Sequence, residues 1–275
     1  MKGLKMFRKN RKLLSIGSLA IVGVLAATLL SSCSKAAAPV VEMKTIRMGA
    51  AAGPPFLFRD ATGGWTSFSA ELARKFAEAN NMKLEFVPTT WPTMVAGLQS
   101  NKYDFTQPVN ATPERRLVVD FTSQISAAGS LFFIKAGAPY KTIEDLNSPS
   151  VTIAVISGSA EESVARKLVP KAKFRALPTA TVADLATEVI SGRSSTFIDS
   201  SYLAPAVDEK FGLTTIPSAD STPDGIEPVQ IAFAVRKGDA ALQTQLNDFI
   251  AKFTASGDLK KLADTWLTVE NALKG

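Results

Sequence analysis

The chain has 275 residues, with 31 Lys and Arg against 25 Asp and Glu, a single Cys and no His. Without imidazole there is no Ser-His or Cys-His nucleophilic catalysis, no His-ligated metal and no ordinary proton carrier near neutral pH. One cysteine also rules out an internal disulfide and Cys-based zinc sites, and no cofactor is expected.

The excess charge is confined to the start. Lys2, Lys5, Arg8, Lys9, Arg11 and Lys12 stand without any acid before Cys33, so the remainder carries 25 basic and 25 acidic residues. The net charge of +6 is therefore no argument for nucleic acid. A basic start, an apolar run from Leu13 to Leu30 and small residues after it form a secretory signal. Leu30-Ser31-Ser32-Cys33 resembles the bacterial lipobox. That resemblance implies removal of a signal peptide 1–32 and acylation of Cys33 (palmitate among the acyl chains), which becomes the new N-terminus. The alternative is an uncleaved helix spanning a bilayer core of roughly 30 Å. Acyl chains contribute about 0.8 kcal/mol per buried methylene, so more than one chain anchors stably. Residues 33–43 are the anchor and its tether, and about ten flexible residues reach somewhat under ~20 Å. The expected location is the cell envelope, lipid-anchored and facing the periplasm or the exterior.

From Lys44 onward, β-branched runs alternate with amphipathic stretches, the pattern of an α/β protein. Thr45–Met48 reads as a strand. Phe68, Leu72, Ala73, Phe76 and Ala77 form one helical stripe. Leu84–Val87 is a strand, Met94, Val95 and Leu98 mark a helix, and Phe105–Val109 is a strand. Leu131–Ile134 and Val151–Ile156 are further strands, and the helix through Val182, Leu185, Val189 and Ile190 stops at Gly192. Thr196–Ile198, Leu213–Ile216 and Ile231–Val235 are strands. Leu242, Leu246, Phe249, Ile250 and Phe253 mark a long helix, and Leu259, Leu262 and Trp266 a short one.

Two loops bring backbone N–H groups together. In Asn110-Ala111-Thr112-Pro113-Glu114-Arg115-Arg116, Thr112 suits an N-cap and Pro113 the first helical position. The helix N-terminus favours an anion, and an arginine there grips a carboxylate in two-pronged fashion. Arg115 and Arg116 lie about 100° apart on a helix, so only one faces a cleft; the bland alternative is two solvated arginines. In Ser157-Gly158-Ser159-Ala160-Glu161-Glu162, Ser159 and Glu162 fit a capping box, and Gly158 permits close approach of backbone to a ligand. An ordinary capped helix is the plain reading. Neither G-x-x-x-x-G-K-[ST] nor G-x-G-x-x-G occurs, which leaves nucleotide binding without support.

Leu84 to Trp91 (LEFVPTTW), Gly97 to Asp104 (GLQSNKYD), Ala111 to Arg115 (ATPER) and Val119 to Thr122 (VDFT), followed by Ile153 to Ser159 (IAVISGS) and Gly257-Asp258-Leu259 leading to Trp266, resemble the family 3 bacterial solute-binding proteins. These are the polar amino-acid type that feeds ABC importers. The resemblance implies a two-lobed, type II periplasmic-binding-protein-like α/β fold with two crossover hinge strands and a ligand cleft between the lobes. Lobe 1 is expected over 44–127 plus 231–275, and lobe 2 over 128–230. Carried over residue by residue, Arg115 takes the ligand carboxylate and Trp91 is an aromatic platform. Pro108 and Asn110 contribute from lobe 1, and Gly158 and Ser159 from lobe 2.

The chain also departs from the pattern. The loop Ala50 to Phe56 (AAAGPPF) has neither the usual acid nor an aromatic at the usual wall position, and Ser67 to Leu72 (SFSAEL) replaces Gly-Phe-Asp-x-Asp-Leu. The lobe 2 aspartate falls on Asp199 with a one-residue gap and on Ser200 without it. Asp199 therefore carries an ammonium alone, or the ligand is a carboxylate without one. The function the resemblance implies is capture of a small carboxylate, an amino acid or analogue, by a monomer that passes it to ABC permease subunits. Two rival readings remain. One is a non-transport sensory or interaction lipoprotein. The other is a cyclohexadienyl-dehydratase-like enzyme, although Ser200, Ser201 and Tyr202 stand where such an enzyme is expected to place a glutamate.

Overall fold

The computed structural model describes residues 43–274. Cys33, the signal 1–32 and all but the last residue of the tether lie outside the described residues. In chain order the first elements are β1 (Thr45–Ala50), β2 (Phe58–Arg59), β3 (Trp65–Thr66), α1 (Phe68–Ala79), β4 (Lys83–Pro88) and α2 (Met94–Gln99). They continue with β5 (Phe105–Thr106), β6 (Val109–Asn110), α3 (Pro113–Val118) and β7 (Val119–Phe121). Next come β8 (Ser126–Lys135), α4 (Ile143–Leu146), β9 (Thr152–Ile156), α5 (Ala160–Leu168), β10 (Lys173–Leu177) and α6 (Val182–Ile190). The chain then forms β11 (Thr196–Ser200), α7 (Ala204–Phe211), β12 (Leu213–Ile216), β13 (Ile226–Ala232) and β14 (Ala234–Arg236). It ends in α8 (Ala240–Ala255), α9 (Asp258–Trp266) and α10 (Val269–Ala272).

Two sheets organise these elements. One has the order β4-β1-β5-β14-β7, with β1 parallel to β4 and β5 and with β14 antiparallel to its neighbours. The other has the order β10-β9-β11-β8-β13-β6, with β12 paired to β8. The apolar stripe expected on α1 is buried: Phe68, Leu72, Ala73 and Phe76 pack with Phe105, Phe233 and, from α8, Leu246, Phe249 and Ile250. The faces of the second sheet are covered separately. Phe133 and Phe197 stack at 4.6 Å beneath α6 and α7, and Ile153, Val155 and Ile198 face α5.

Two expected strands are each broken in two. Phe105–Val109 divides around Gln107 and Pro108, so that β5 joins the first sheet and β6 pairs with β13 in the second. Ile231–Val235 divides at Phe233 into β13 and β14, again in different sheets. Both segments stay buried while the chain passes from one sheet to the other, and the Ile231–Val235 run is apolar throughout, so periodicity cannot reveal the break. Beside the β13–β14 break runs another passage between the sheets, residues 122–125 from β7 to β8: Ile125 N donates to Ile231 O (2.9 Å), Thr122 N to Phe233 O (3.0 Å), and Gln230 Nε2 to Thr122 O (2.7 Å). Two short strands of this kind, joined to each other, are where a two-lobed molecule bends.

The first sheet is also tied down by Tyr103, which is fully buried and donates its hydroxyl to Met94 O. Its ring lies between Gly49 of β1 and Gly97 of α2. A Cβ on Gly49 would meet the ring at 2.5 Å, and one on Gly97 would meet Cζ at 2.8 Å. Gly49→Ala is therefore expected to destabilise the fold by about 1–3 kcal/mol through overpacking, read as a lowered thermal midpoint.

Candidate functional site

The loops at the carboxyl ends of β1, β5 and β9, with the end of β11, surround one cavity of about 260 Å³. That is at the small end of ligand sites, which run from about 300 to 1,000 Å³. Most of the wall is apolar. Trp91 is placed by a 3-10 turn, Trp91–Thr93, directly after β4. Its Nε1 donates to Ala52 O (3.1 Å), and its ring lies where a Cβ on Gly53 would be 2.8 Å away. Phe56 and Tyr202 approach from opposite sides and meet edge to face at 5.5 Å. The sequence reading assigned neither of them. Phe56 sits outside the wall position considered, and Tyr202 reaches the cavity through the turn after β11.

Thr112 caps α3 as expected, accepting from Arg115 N (3.3 Å), with Pro113 at the first position. The helix has six residues, so the site rests on the arginine side chain rather than on a long helix dipole. Arg115 lines the cavity and donates to Asn110 O (3.0 Å) and to Gly158 O (3.2 Å). Burial pulls its guanidinium below the ordinary arginine value, while Glu161 and Glu114 act in the opposite direction. Arg116 points elsewhere: it bonds Ala111 O and Gln230 Oε1 and lies over the ring of Phe121.

On the other side of the cavity, Ser159 caps α5 by accepting from Glu162 N (3.0 Å). The capping box is incomplete. Glu162 Oε2 reaches Gly158 N (2.7 Å) instead of Ser159 N, and its other oxygen takes Arg166. Gly158 has φ of +74°, and a Cβ there would meet Pro92 Cα at 2.7 Å. Gly158→Ala therefore adds both a strained backbone and a clash where the two sides meet. The expected result is about 10-fold weaker ligand binding with a nearly unchanged melting temperature of the ligand-free protein, measured by calorimetry.

Asp199 and Ser200 both line the cavity, because β11 ends there and turns into Ser201–Leu203. Asp199 Oδ1 accepts from Ser200 N (2.7 Å). Burial first, and the nearby Glu161 second, push the Asp199 carboxyl up to about 8, against the opposing backbone hydrogen bond. Glu161, in the first turn of α5, also lines the cavity and accepts from Asn110 Nδ2 at 3.3 Å. The sequence points to the backbone of this loop rather than to Glu161, although the acid stands beside the Gly-Ser cap. Gln107 was missed as well. Its Oε1 accepts from Ala51 N (2.8 Å), while Nε2 is buried and unpaired among the described residues, as is Ser200 Oγ. Of the seven ligand residues expected, Trp91, Pro108, Asn110, Arg115, Ser159 and Asp199 line the cavity. Gly158 reaches it only through its carbonyl contact with Arg115. No group of three or more possible metal ligands occurs among the described residues.

A cleft enclosed between two α/β lobes, with an arginine on one wall and carboxylates on the other, defines a binding protein of the type II periplasmic class. Residues 46–269 match the family model of bacterial extracellular solute-binding proteins, family 3, and the chain belongs to that family. It is 28% identical to the amino-acid-binding protein AabA of Dichelobacter nodosus, over 77% of this chain and 83% of that one. It is 27% identical to a probable amino-acid ABC transporter-binding protein of Haemophilus influenzae, over 90% and 93% of the two chains. Among solved structures it resembles the ancestral amino acid-binding protein AncCDT-1, described as a precursor of cyclohexadienyl dehydratase. The TM-score is 0.72 and the identity 33%, covering 82% of this chain and 96% of that one. No helix among the described residues is long and apolar enough to cross a membrane.

Proposed function

We propose that this protein captures an amino acid between its lobes and delivers it to the permease subunits of an ABC importer. The observation that carries this reading is the meeting of Arg115 with Asp199 and Glu161 in one small, largely apolar cavity. A guanidinium takes the α-carboxylate as a bidentate pair. A carboxylate takes the α-ammonium, which would be costly to bury without one. Trp91 covers the aliphatic part, and Pro108, Asn110, Gly158 and Ser159 complete the walls. The names of the relatives point to the same ligand class.

In this reading lobe 1 is 44–127 plus 231–275 and lobe 2 is 128–230, and closure about the paired crossovers traps the ligand. The contacts Arg115 to Gly158 and Asn110 to Glu161 are of the kind made only when the lobes are together. The protein works as a monomer, held at the membrane by acyl chains on Cys33 after removal of 1–32, on the outer side of the membrane its permease spans. The test is thermal shift of the purified protein against the common amino acids. A ligand at 1,000 times its Kd adds about 4 kcal/mol of stability, and a flat response to the whole panel would end the capture reading.

One rival has an observation in its favour. A buried carboxyl that keeps its proton to about pH 8, as Asp199 does, is suited to donate it to a leaving group, as a dehydratase requires. That reading expects turnover of a prephenate-like substrate by the purified protein, whereas the binding reading expects none.

A further inference from the structure

Arg115 is the only cation among the described residues lining the cavity, and Glu161 and Asp199 are the only carboxylates. None of the three is in an ion pair among the described residues, although ion pairs are plentiful elsewhere: Glu162 holds Arg166, and Glu188 holds both Arg175 and Arg193. An α-amino acid with a neutral side chain is a zwitterion. Its carboxylate answers Arg115 and its ammonium answers one acid, which leaves the second acid enclosed and unmatched. An uncompensated charge in a closed apolar site is costly.

We propose that Glu161 and Asp199 together form a two-acid subsite that selects a basic amino acid, one carrying a second cation on its side chain. This rests on the amino-acid reading above and narrows it. Between them the two carboxylates take the α-ammonium and the side-chain cation. Trp91, Phe56 and Tyr202 supply surface for the methylenes and aromatic faces that favour a cation. The rise in the Asp199 carboxyl, caused in part by Glu161, shows the same imbalance with a proton in place of the ligand cation. The loop Ala50 to Phe56 has no acid, so the second negative charge of the site comes from α5 alone.

The test is calorimetry with wild type and Glu161→Gln, comparing L-arginine with its neutral isostere L-citrulline and L-lysine with L-norleucine. Glutamine keeps an oxygen for Asn110 Nδ2, so the contact across the lobes survives the change. In wild type, one basic ligand is expected to bind at least about 30-fold tighter than its neutral partner. In Glu161→Gln that ratio is expected to fall to about 3-fold or less. A wild-type ratio near one, or a large ratio that survives the substitution, overturns the two-acid subsite and leaves amino-acid capture standing. If none of these ligands nor any other amino acid binds wild type, both readings fail together.

Discussion

Arg115→Ala is expected to lower amino-acid affinity by at least about 100-fold. Removing one partner of an enclosed, hydrogen-bonded charge pair costs about 2–5 kcal/mol, because the ligand carboxylate is left buried without its countercharge. The substitution also deletes the donor to Gly158 O (3.2 Å), so part of the loss comes from a less favourable closed state. Arg115→Lys is expected to recover little of it. An ammonium is a point charge and cannot reproduce the planar fork that bonds Asn110 O, Gly158 O and a carboxylate together. Neither variant should lower the melting temperature of the ligand-free protein appreciably, since Thr112 and Pro113 start α3 without the arginine side chain. Calorimetry beside a thermal melt separates the two effects. Full binding by Arg115→Ala would mean that the ligand carboxylate is held elsewhere.

The second large effect is expected at Asp199, and it reverses sign between stability and binding. Its carboxyl is raised from 3.8 to about 8, mainly by burial and then by Glu161. The folded protein thus holds a proton that the unfolded chain has already released. The associated stability is fully present below pH 3.8 and is lost as pH rises toward about 8, at no more than about 1.4 kcal/mol per pH unit. Asp199→Asn removes the titration. The ligand-free variant is therefore expected to be more stable than wild type at pH 8, by roughly 2 kcal/mol or more, and as stable as wild type near pH 3.5. Arg115 and Glu161 are the charged groups that share the cavity with it, and neither changes the direction. Binding moves the other way, since asparagine cannot balance an ammonium, and a loss of about 100-fold is expected. Chemical denaturation at several pH values, with and without ligand, measures both. Equal stability at pH 8 would remove the strained carboxyl, and unchanged affinity would point to a ligand that is a plain acid.

These two residues also differ in how openly the sequence displayed them. Arg115 follows a threonine cap and a proline, local features whose geometry is set within four residues; the turn of the helix allows only one of Arg115 and Arg116 to face a cleft, and the family resemblance points to Arg115. Asp199 was open to a one-residue ambiguity with Ser200. The register of β11 against β8, with Asp199 opposite Leu131, and the strand's end at Ser200 bring both into the cavity wall. The edge strand β10, whose Lys-Phe-Arg-Ala-Leu is half polar, went unassigned because its strand character comes from pairing with β9.

Periodicity and caps carried the α/β class, since each is encoded by neighbours a few residues apart, and the resemblance of the Thr-Pro-Glu-Arg element after Tyr103-Asp104 carried the family and the proposal of Arg115 as the carboxylate ligand. The split of two expected strands between sheets, the aromatic pair Phe56 and Tyr202, and the partnership of Glu161 with Asp199 belong to the tertiary structure alone. Glu161 and Asp199 are 38 positions apart in the chain. What makes them neighbours is the packing of α5 and β11 against β9, which brings the start of α5 and the end of β11 to the same cavity.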